Sequence, residues 1–241
     1  MAVCFEPLGG GLVLAVDETH RFGTDAVLLT HFAAPNAAGE RICDLGTGCG
    51  CIPFLLLQKA PAPRLLLGVD IQEAAIALCR LSAEKNGREA VRFLQADWKM
   101  PQTIAPADSF DRVICNPPYF SPDSGKKNAD AALRIARHET PDTLPSLCAA
   151  AKHLLRFGGH FCLCHRPERL ADCFSALQKN NLQPKRLQLV QQRVGTAPWL
   201  VLIDAVKGGK AGLSIPAPYI LEDENGYSAQ YMEIYGKYRN T

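Results

Sequence analysis

From residue 41 onward, short unbroken apolar runs alternate with longer stretches whose apolar residues recur every three or four positions. The first pattern marks buried strands and the second marks helices with one buried face. RICDLG (41–46), RLLLGVD (64–70), VRFLQAD (91–97) and FDRVICN (110–116) read as four strands. CIPFLLLQKA (51–60) and IQEAAIALCRLSAEKNG (71–87) read as helices between them. In the second helix Ile76, Leu78 and Leu81 are expected to face inward, with Gly87 as the stop. Residues 117–140 carry no regular pattern. Helix 141–156 then leads through Gly158-Gly159 into strand HFCLCH (160–165), and a helix follows at 167–180. RLQLVQQ (186–192) and WLVLIDAVK (199–207) are strands joined by a short polar link, so they are expected to pair antiparallel. Strands alternating with helices predict an α/β fold, a mostly parallel sheet with helices on both faces.

The first forty residues break this rhythm. GGGLVLAVDETHRFGTD begins as a hairpin, and Thr24 is placed to cap a helix over 25–33, where Ala26, Leu29 and Phe32 recur at three-residue steps. This segment reads as a lid or flank on the main sheet. No repeat, low-complexity tract or linker divides the chain. One domain is therefore expected over 1–241: a flank (1–40), a core (41–207) and a C-terminal extension (208–241).

Composition changes this picture little. A chain of 241 residues can bury a sizeable core. The formal charge of +2 excludes a polycation, so a nucleic-acid partner would need a local basic patch. The ten cysteines form no CxxC pair, so buried reduced thiols are expected and no metal site. No basic leader with an apolar core opens the chain, and no apolar run approaches about 18 residues. A soluble cytoplasmic protein is expected, with no membrane partner.

Chemistry concentrates at two strand ends. DLGTGCG (44–50) joins a strand to a helix, with glycines at 46, 48 and 50. Without Cβ atoms the backbone there turns sharply and approaches a ligand closely, and the helix that follows offers free N–H groups. Asp70 ends the next strand, where a carboxylate can accept from ribose hydroxyls. The plainer alternative is a tight turn with Asp70 capping a helix. The second strand end is VICNPPYF (113–120). Pro117 keeps Asn116 out of the α region, and the two prolines remove two backbone donors. A stiff ridge of acceptors remains: the Asn116 amide oxygen and the carbonyls of Pro117 and Pro118, with Tyr119 as a flat face. That set suits a planar amino group. Two acceptors take its N–H hydrogens as nitrogen becomes tetrahedral, so stabilisation grows toward the transition state.

The spacing GxGxG, with Asp44 two residues before Gly46, resembles the first motif of class I S-adenosylmethionine-dependent methyltransferases. The resemblance implies a Rossmann-like fold with a seven-stranded sheet whose last strand is antiparallel. It implies S-adenosyl-L-methionine as cofactor and S-adenosyl-L-homocysteine as product. In that picture Asp44, Gly46, Gly48 and Gly50 pass under the methionine part, Asp70 holds the ribose, and Ile71 lies against adenine. Asp97 accepts from the adenine amino group with Trp98 beside it, and Asn116 belongs to both cofactor and catalytic sets. Simple turn capping is the alternative for Asp97, and a hydrophobic anchor for Trp98. Asn116, Pro117, Pro118 and Tyr119 resemble the NPPY motif of amino-group methyltransferases.

HRFGTDAVLLTHF (20–32), DLGTGCG, GVDIQ (68–72), NPPYF (116–120) and ARHE (136–139) occur in one order. Together they resemble the bacterial tRNA adenine-N6 methyltransferase family that modifies adenine 37 of a valine tRNA. That family often has Glu where Asp70 stands. No N-terminal helical domain and no separate target-recognition domain is expected. The resemblance implies tRNA as partner; the sequence itself does not give the oligomeric state, and a monomer is the expectation. A release-factor glutamine, an adenine or guanine amino group in rRNA or DNA, and a non-catalytic RNA-binding role stay open as alternatives. Phe120, Lys126, Lys127, Arg134, Arg137 and His138 are the candidate RNA contacts, with a solvated loop as the alternative. Lys185, Arg186 and Arg193 are favoured as solvated charge. The tail 227–241 either packs its tyrosines on the body or stacks on RNA.

Overall fold

The computed structural model of the chain describes residues 2–58, 62–88, 91–118 and 143–239. A hairpin comes first, β1 (Cys4–Gly9) and β2 (Leu12–Val16), antiparallel. Its turn uses Gly9, Gly10 and Gly11, all with positive φ, a conformation that costs glycine little. Then come α1 (Thr24–Ala33), β3 (Arg41–Leu45), α2 (Cys51–Leu57), β4 (Leu65–Asp70), α3 (Glu73–Lys85), β5 (Arg92–Gln95) and β6 (Phe110–Cys115). After residue 142 follow α4 (Thr143–Leu154), β7 (Leu155–His165), α5 (Leu170–Lys179), β8 (Leu182–Gln191) and β9 (Pro198–Lys207). Two-residue β10 (Tyr219–Ile220), a small pair β11 (Glu222–Asp223) and β12 (Gly226–Tyr227), and α6 (Ala229–Arg239) close the chain.

The main sheet has the order β10-β8-β9-β7-β6-β3-β4-β5. β9 alone runs against its neighbours β7 and β8. The seven expected strands and the reversed last long one are present. β10 adds an eighth, pairing parallel with Val190 and Gln191 of β8. Two residues are too few to leave a period in the sequence.

Strand alternation builds two cores, one on each face. Ile42, Ile114, Cys162 and Leu202 pack against Leu28 and Phe32 of α1 and Phe54 of α2. Cys43, Val113, Phe161 and Ile203 face Leu147 and Ala151 of α4 and Leu177 of α5. Each strand is thus apolar on both sides, which is why the sequence shows unbroken runs. Switching one strand by a single residue would exchange its two faces.

Several expectations are corrected. Leu81 is 41 % exposed, because the buried stripe of α3 runs through Ala75, Ile76, Leu78, Cys79, Ser82 and Ala83. Polar Ser82 takes a core place since its hydroxyl donates to the Leu78 carbonyl and accepts from the Ala15 N–H. Thr24 does not cap α1. It is the helix's first residue, Gly23 holds the cap position, and the Thr24 hydroxyl reaches Tyr231 Oη at 3.5 Å. Gly158 and Gly159 lie inside β7 rather than before it. A Cβ on Gly159 would stand 2.9 Å from the Arg156 carbonyl oxygen, so the chain can pass there only as glycine. Arg186 is not solvated. Its guanidinium lies 3.9 Å over the Phe32 ring and donates to the Phe32 carbonyl. Nine cysteines are buried and free, as expected, but Cys4 is exposed. The tail forms a helix with Tyr231 and Ile234 in the core and Tyr235 stacked on Tyr231 at 5.0 Å, so packing on the body accounts for these side chains. Among the described residues no helix is long and apolar enough to cross a membrane.

Candidate active site

The C-terminal ends of β3, β4 and β6 meet where the strand order reverses. From β3 the chain steps outward to β4 and β5, then returns to the other side of β3 with β6. In open α/β sheets such a point leaves a crevice. Here it is a cleft of about 440 Å³, in the range of small-molecule sites.

The glycine loop forms its floor. Gly46 and Thr47 donate their N–H groups to the Val69 carbonyl at 2.8 and 2.9 Å, which pins the loop to β4. Gly46, Gly48 and Gly50 have φ of 71°, 55° and 85°. A Cβ on Gly46 would lie 3.3 Å from the Trp98 ring, whereas one on Gly48 would meet no atom within 4 Å. Bare backbone at Gly48 therefore faces open cleft. Gly50 turns into α2, where a Cβ would stand 3.1 Å from Cys79 Sγ. It shapes the turn and does not line the cleft.

Asp70 links loop and helix. Its Oδ2 accepts from the Gly48 N–H and its Oδ1 from the Gln72 N–H, both at 2.9 Å. Asp70 does not cap the helix, whose cap position is Gln72; its carboxylate closes the turn before it and also lines the cleft. Burial raises its carboxyl above the usual carboxylate range, against the pull of those two N–H groups. Ile71, 49 % exposed, and Trp98 line the same wall. The indole Nε1 donates to Ser146 Oγ at 3.3 Å. Asn116, Pro117 and Pro118 line the cleft as well.

Besides Gly50, two expected site residues fall outside the cleft lining. Asp97 does not line the cleft; its Oδ1 accepts from the Lys99 N–H at 2.8 Å in a local turn, the capping alternative. Asp44 lies wholly buried beneath the loop, and neither carboxyl oxygen has a hydrogen-bond partner. Tyr119, Phe120, Lys126, Lys127, Arg134, Arg137 and His138 lie outside the described residues. Among the described residues no cluster of potential metal ligands occurs.

Sequence reasoning passed over one wall, the segment Asp17–Ala26. Thr19, His20, Arg21, Phe22, Gly23, Asp25 and Ala26 line the cleft, so the flank is a side of the site. Asp17 accepts from the N–H groups of Thr19 (2.8 Å) and His20 (2.6 Å), and from His20 Nδ1 at 3.2 Å. Burial alone would raise the Asp17 carboxyl, but these contacts outweigh it and hold it below the ordinary range. With Nδ1 engaged, His20 Nε2 is left buried and unpartnered beside the cleft. The available signal was Asp17, Thr19 and His20 directly after an apolar strand, a polar cluster where a short link would suffice.

Asp44 yields a stability prediction. Burial, the largest influence, lifts its carboxyl to about 7; Asp70's charge adds to this and the nearby Thr47 hydroxyl opposes it. Between the ordinary 3.8 and about 7 the folded chain holds a proton that the unfolded chain releases. Stability from this group is fully present at low pH and lost as pH rises through that window. Asp44→Asn, neutral at every pH, is expected to melt above the unsubstituted protein at pH 8, by a clearly wider margin than at pH 5. Thermal unfolding followed by circular dichroism checks this; an equal gap at both pH values refutes it.

Residues 36–206 match the family model described as a methyltransferase domain. A protein of Photobacterium profundum named tRNA1(Val) (adenine(37)-N6)-methyltransferase is 26 % identical over 93 % of this chain and 91 % of its own length. A protein of the same name from Tolumonas auensis is 27 % identical over 89 % of this chain and 87 % of its own. A solved structure of a predicted O-methyltransferase from Agrobacterium tumefaciens, 21 % identical, superposes with a TM-score of 0.73 over 89 % of this chain and 96 % of its own, which shows a shared fold. A fold with its strand reversal at this cleft and a family match spanning the whole core lead to one statement: the chain belongs to the methyltransferase-domain family.

Proposed function

We propose that the chain transfers a methyl group from S-adenosylmethionine to the N6 amino group of an adenine in tRNA, working in the cytoplasm as one domain. The observation that carries this is the convergence of two motifs on one cleft. Gly46, Gly48 and Asp70 line it together with Asn116, Pro117 and Pro118. The names of the relatives from Photobacterium profundum and Tolumonas auensis support tRNA as the substrate.

The residues present fit the cofactor. Gly48 leaves space that a Cβ would fill, Asp70 offers carboxylate oxygens to vicinal hydroxyls, and Ile71 and Trp98 offer apolar surface to a base. The raised carboxyls of Asp44 and Asp70 favour a cationic ligand, which stabilises their charged forms. When bound, S-adenosylmethionine supplies an electrophilic methyl group. Asn116 Oδ1 and the Pro117 carbonyl accept the two hydrogens of the target amine and hold its nitrogen in line. They strengthen their hold as positive charge grows on nitrogen. Once the methyl is in place, the surplus proton leaves along the same acceptors toward solvent.

Labelled cofactor incubated separately with tRNA, rRNA, DNA and a release factor, followed by digestion, tests the reading. N6-methyladenosine from tRNA is expected. Label on glutamine alone, or on DNA or rRNA alone, overturns the substrate.

A further inference from the structure

We propose that Cys164 is a positioning residue for methyl transfer, its thiol hydrogen fixing which end of the Asn116 amide meets the target amine. The inference rests on the reading of Asn116 as the amine's acceptor. It starts from strand register. β6 and β7 pair in parallel with Cys115 beside Leu163, so the next residues, Asn116 and Cys164, stand side by side just past the last ladder pair. Side chains alternate along strands, so Asn116 shares the face of Ile114, and Cys164 that of Cys162. Both belong to the face covered by α1, which carries Asp25 and Ala26 of the cleft wall. Cys164 Sγ donates to Asn116 Oδ1 at 2.9 Å.

Cys164 is wholly buried, and burial first, then the charge of Asp25, hold its thiol well above the ordinary range. It therefore keeps its hydrogen and acts as a donor. The two ends of an amide are nearly the same size, so packing alone does not choose between them. A donor beside Oδ1 does. One lone pair of Oδ1 takes the thiol hydrogen and the second remains for the amine. A reversed amide would turn its N–H toward the amine's own N–H and leave the thiol only as a weak sulfur acceptor.

A competing effect exists, since sharing an acceptor weakens each bond. Mutual influence between neighbouring hydrogen bonds changes them by about 10–30 %. Reversal removes the amine's acceptor altogether, so orientation wins.

Cys164→Val loses the donor and adds about one methyl group, Cys164→Ala loses the donor and leaves a small void, and Cys164→Ser keeps a donor. Val and Ala are expected to lower kcat about five- to tenfold, the worth of one hydrogen bond. KM for tRNA and affinity for S-adenosylmethionine should stay near those of the unsubstituted protein, while Val and Ala lower the melting temperature modestly without sharing one direction of volume change. Ser should recover most of the lost kcat. Unchanged kcat in Val and Ala, or equal losses in all three variants, overturns the role of Cys164. Asn116→Ala serves as the control. If it keeps full turnover, the reading of Asn116 falls and this inference with it; if it is inactive while Cys164→Val is unimpaired, only the role of Cys164 falls.

Discussion

Asn116→Ala is expected to slow methyl transfer by at least about 100-fold, the usual scale for removing one group aimed at developing charge. Its affinity for S-adenosylmethionine should change by less than about threefold, because the lost interaction forms with the target amine and grows only in the transition state. A planar amine is a poor nucleophile, since its lone pair is conjugated with the ring. Asn116 Oδ1 is set at the end of β6, behind two prolines that fix its backbone, so it costs little to reorganise. Alanine keeps that backbone and removes only the acceptor. Single-turnover rates with labelled cofactor, beside calorimetric titration of the cofactor, separate the two effects. A cofactor affinity loss as large as the rate loss would make Asn116 a cofactor ligand and remove it from the chemistry.

The fold was legible because both faces of the sheet are covered. Strands such as Val113–Cys115 and Phe161–Cys164 are apolar on both sides and stand out as runs. The glycine loop and the Asn116 ridge were legible because glycine and proline impose backbone shapes that few other residues share. What escaped depends on contacts far along the chain. Leu81 looks like a core residue until Ser82 is seen to meet the Ala15 N–H, 67 residues away. Arg186 looks solvated until Phe32 is placed beneath it, 154 residues away. His20 carries no signal of its own in the sequence, yet it is buried and lines the cleft. Asp97 shows the opposite case, a residue in the expected order whose carboxylate is taken by a local turn. Sequence order alone does not distinguish a side chain that turns back on its own backbone from one that reaches a ligand.

Asp70→Ala is expected to weaken S-adenosylmethionine binding about 100-fold while changing stability by no more than about 1–2 kcal/mol. The two numbers differ because opposing effects act on stability and not on binding. The Asp70 carboxylate ties the Gly48 and Gln72 N–H groups, so its loss frees two donors. Its loss also relieves the burial that raises this carboxyl, and both freed donors lie in residues that border the open cleft, where water can reach them. These effects offset each other. For the ligand nothing offsets. Two vicinal hydroxyls lose a charged acceptor, each such bond being worth roughly 1.5–3 kcal/mol. The unsupported Gly48 backbone, at positive φ, also becomes free to move, so the loop must be ordered again at each binding event. Asp70→Glu keeps a carboxylate pair one methylene further out and should lose less than about tenfold. Calorimetric titration of the three proteins, with their melting temperatures, gives both quantities. A loss under threefold in Asp70→Ala would show that the carboxylate is occupied by its backbone partners alone and that the ribose is held by another residue of the cleft.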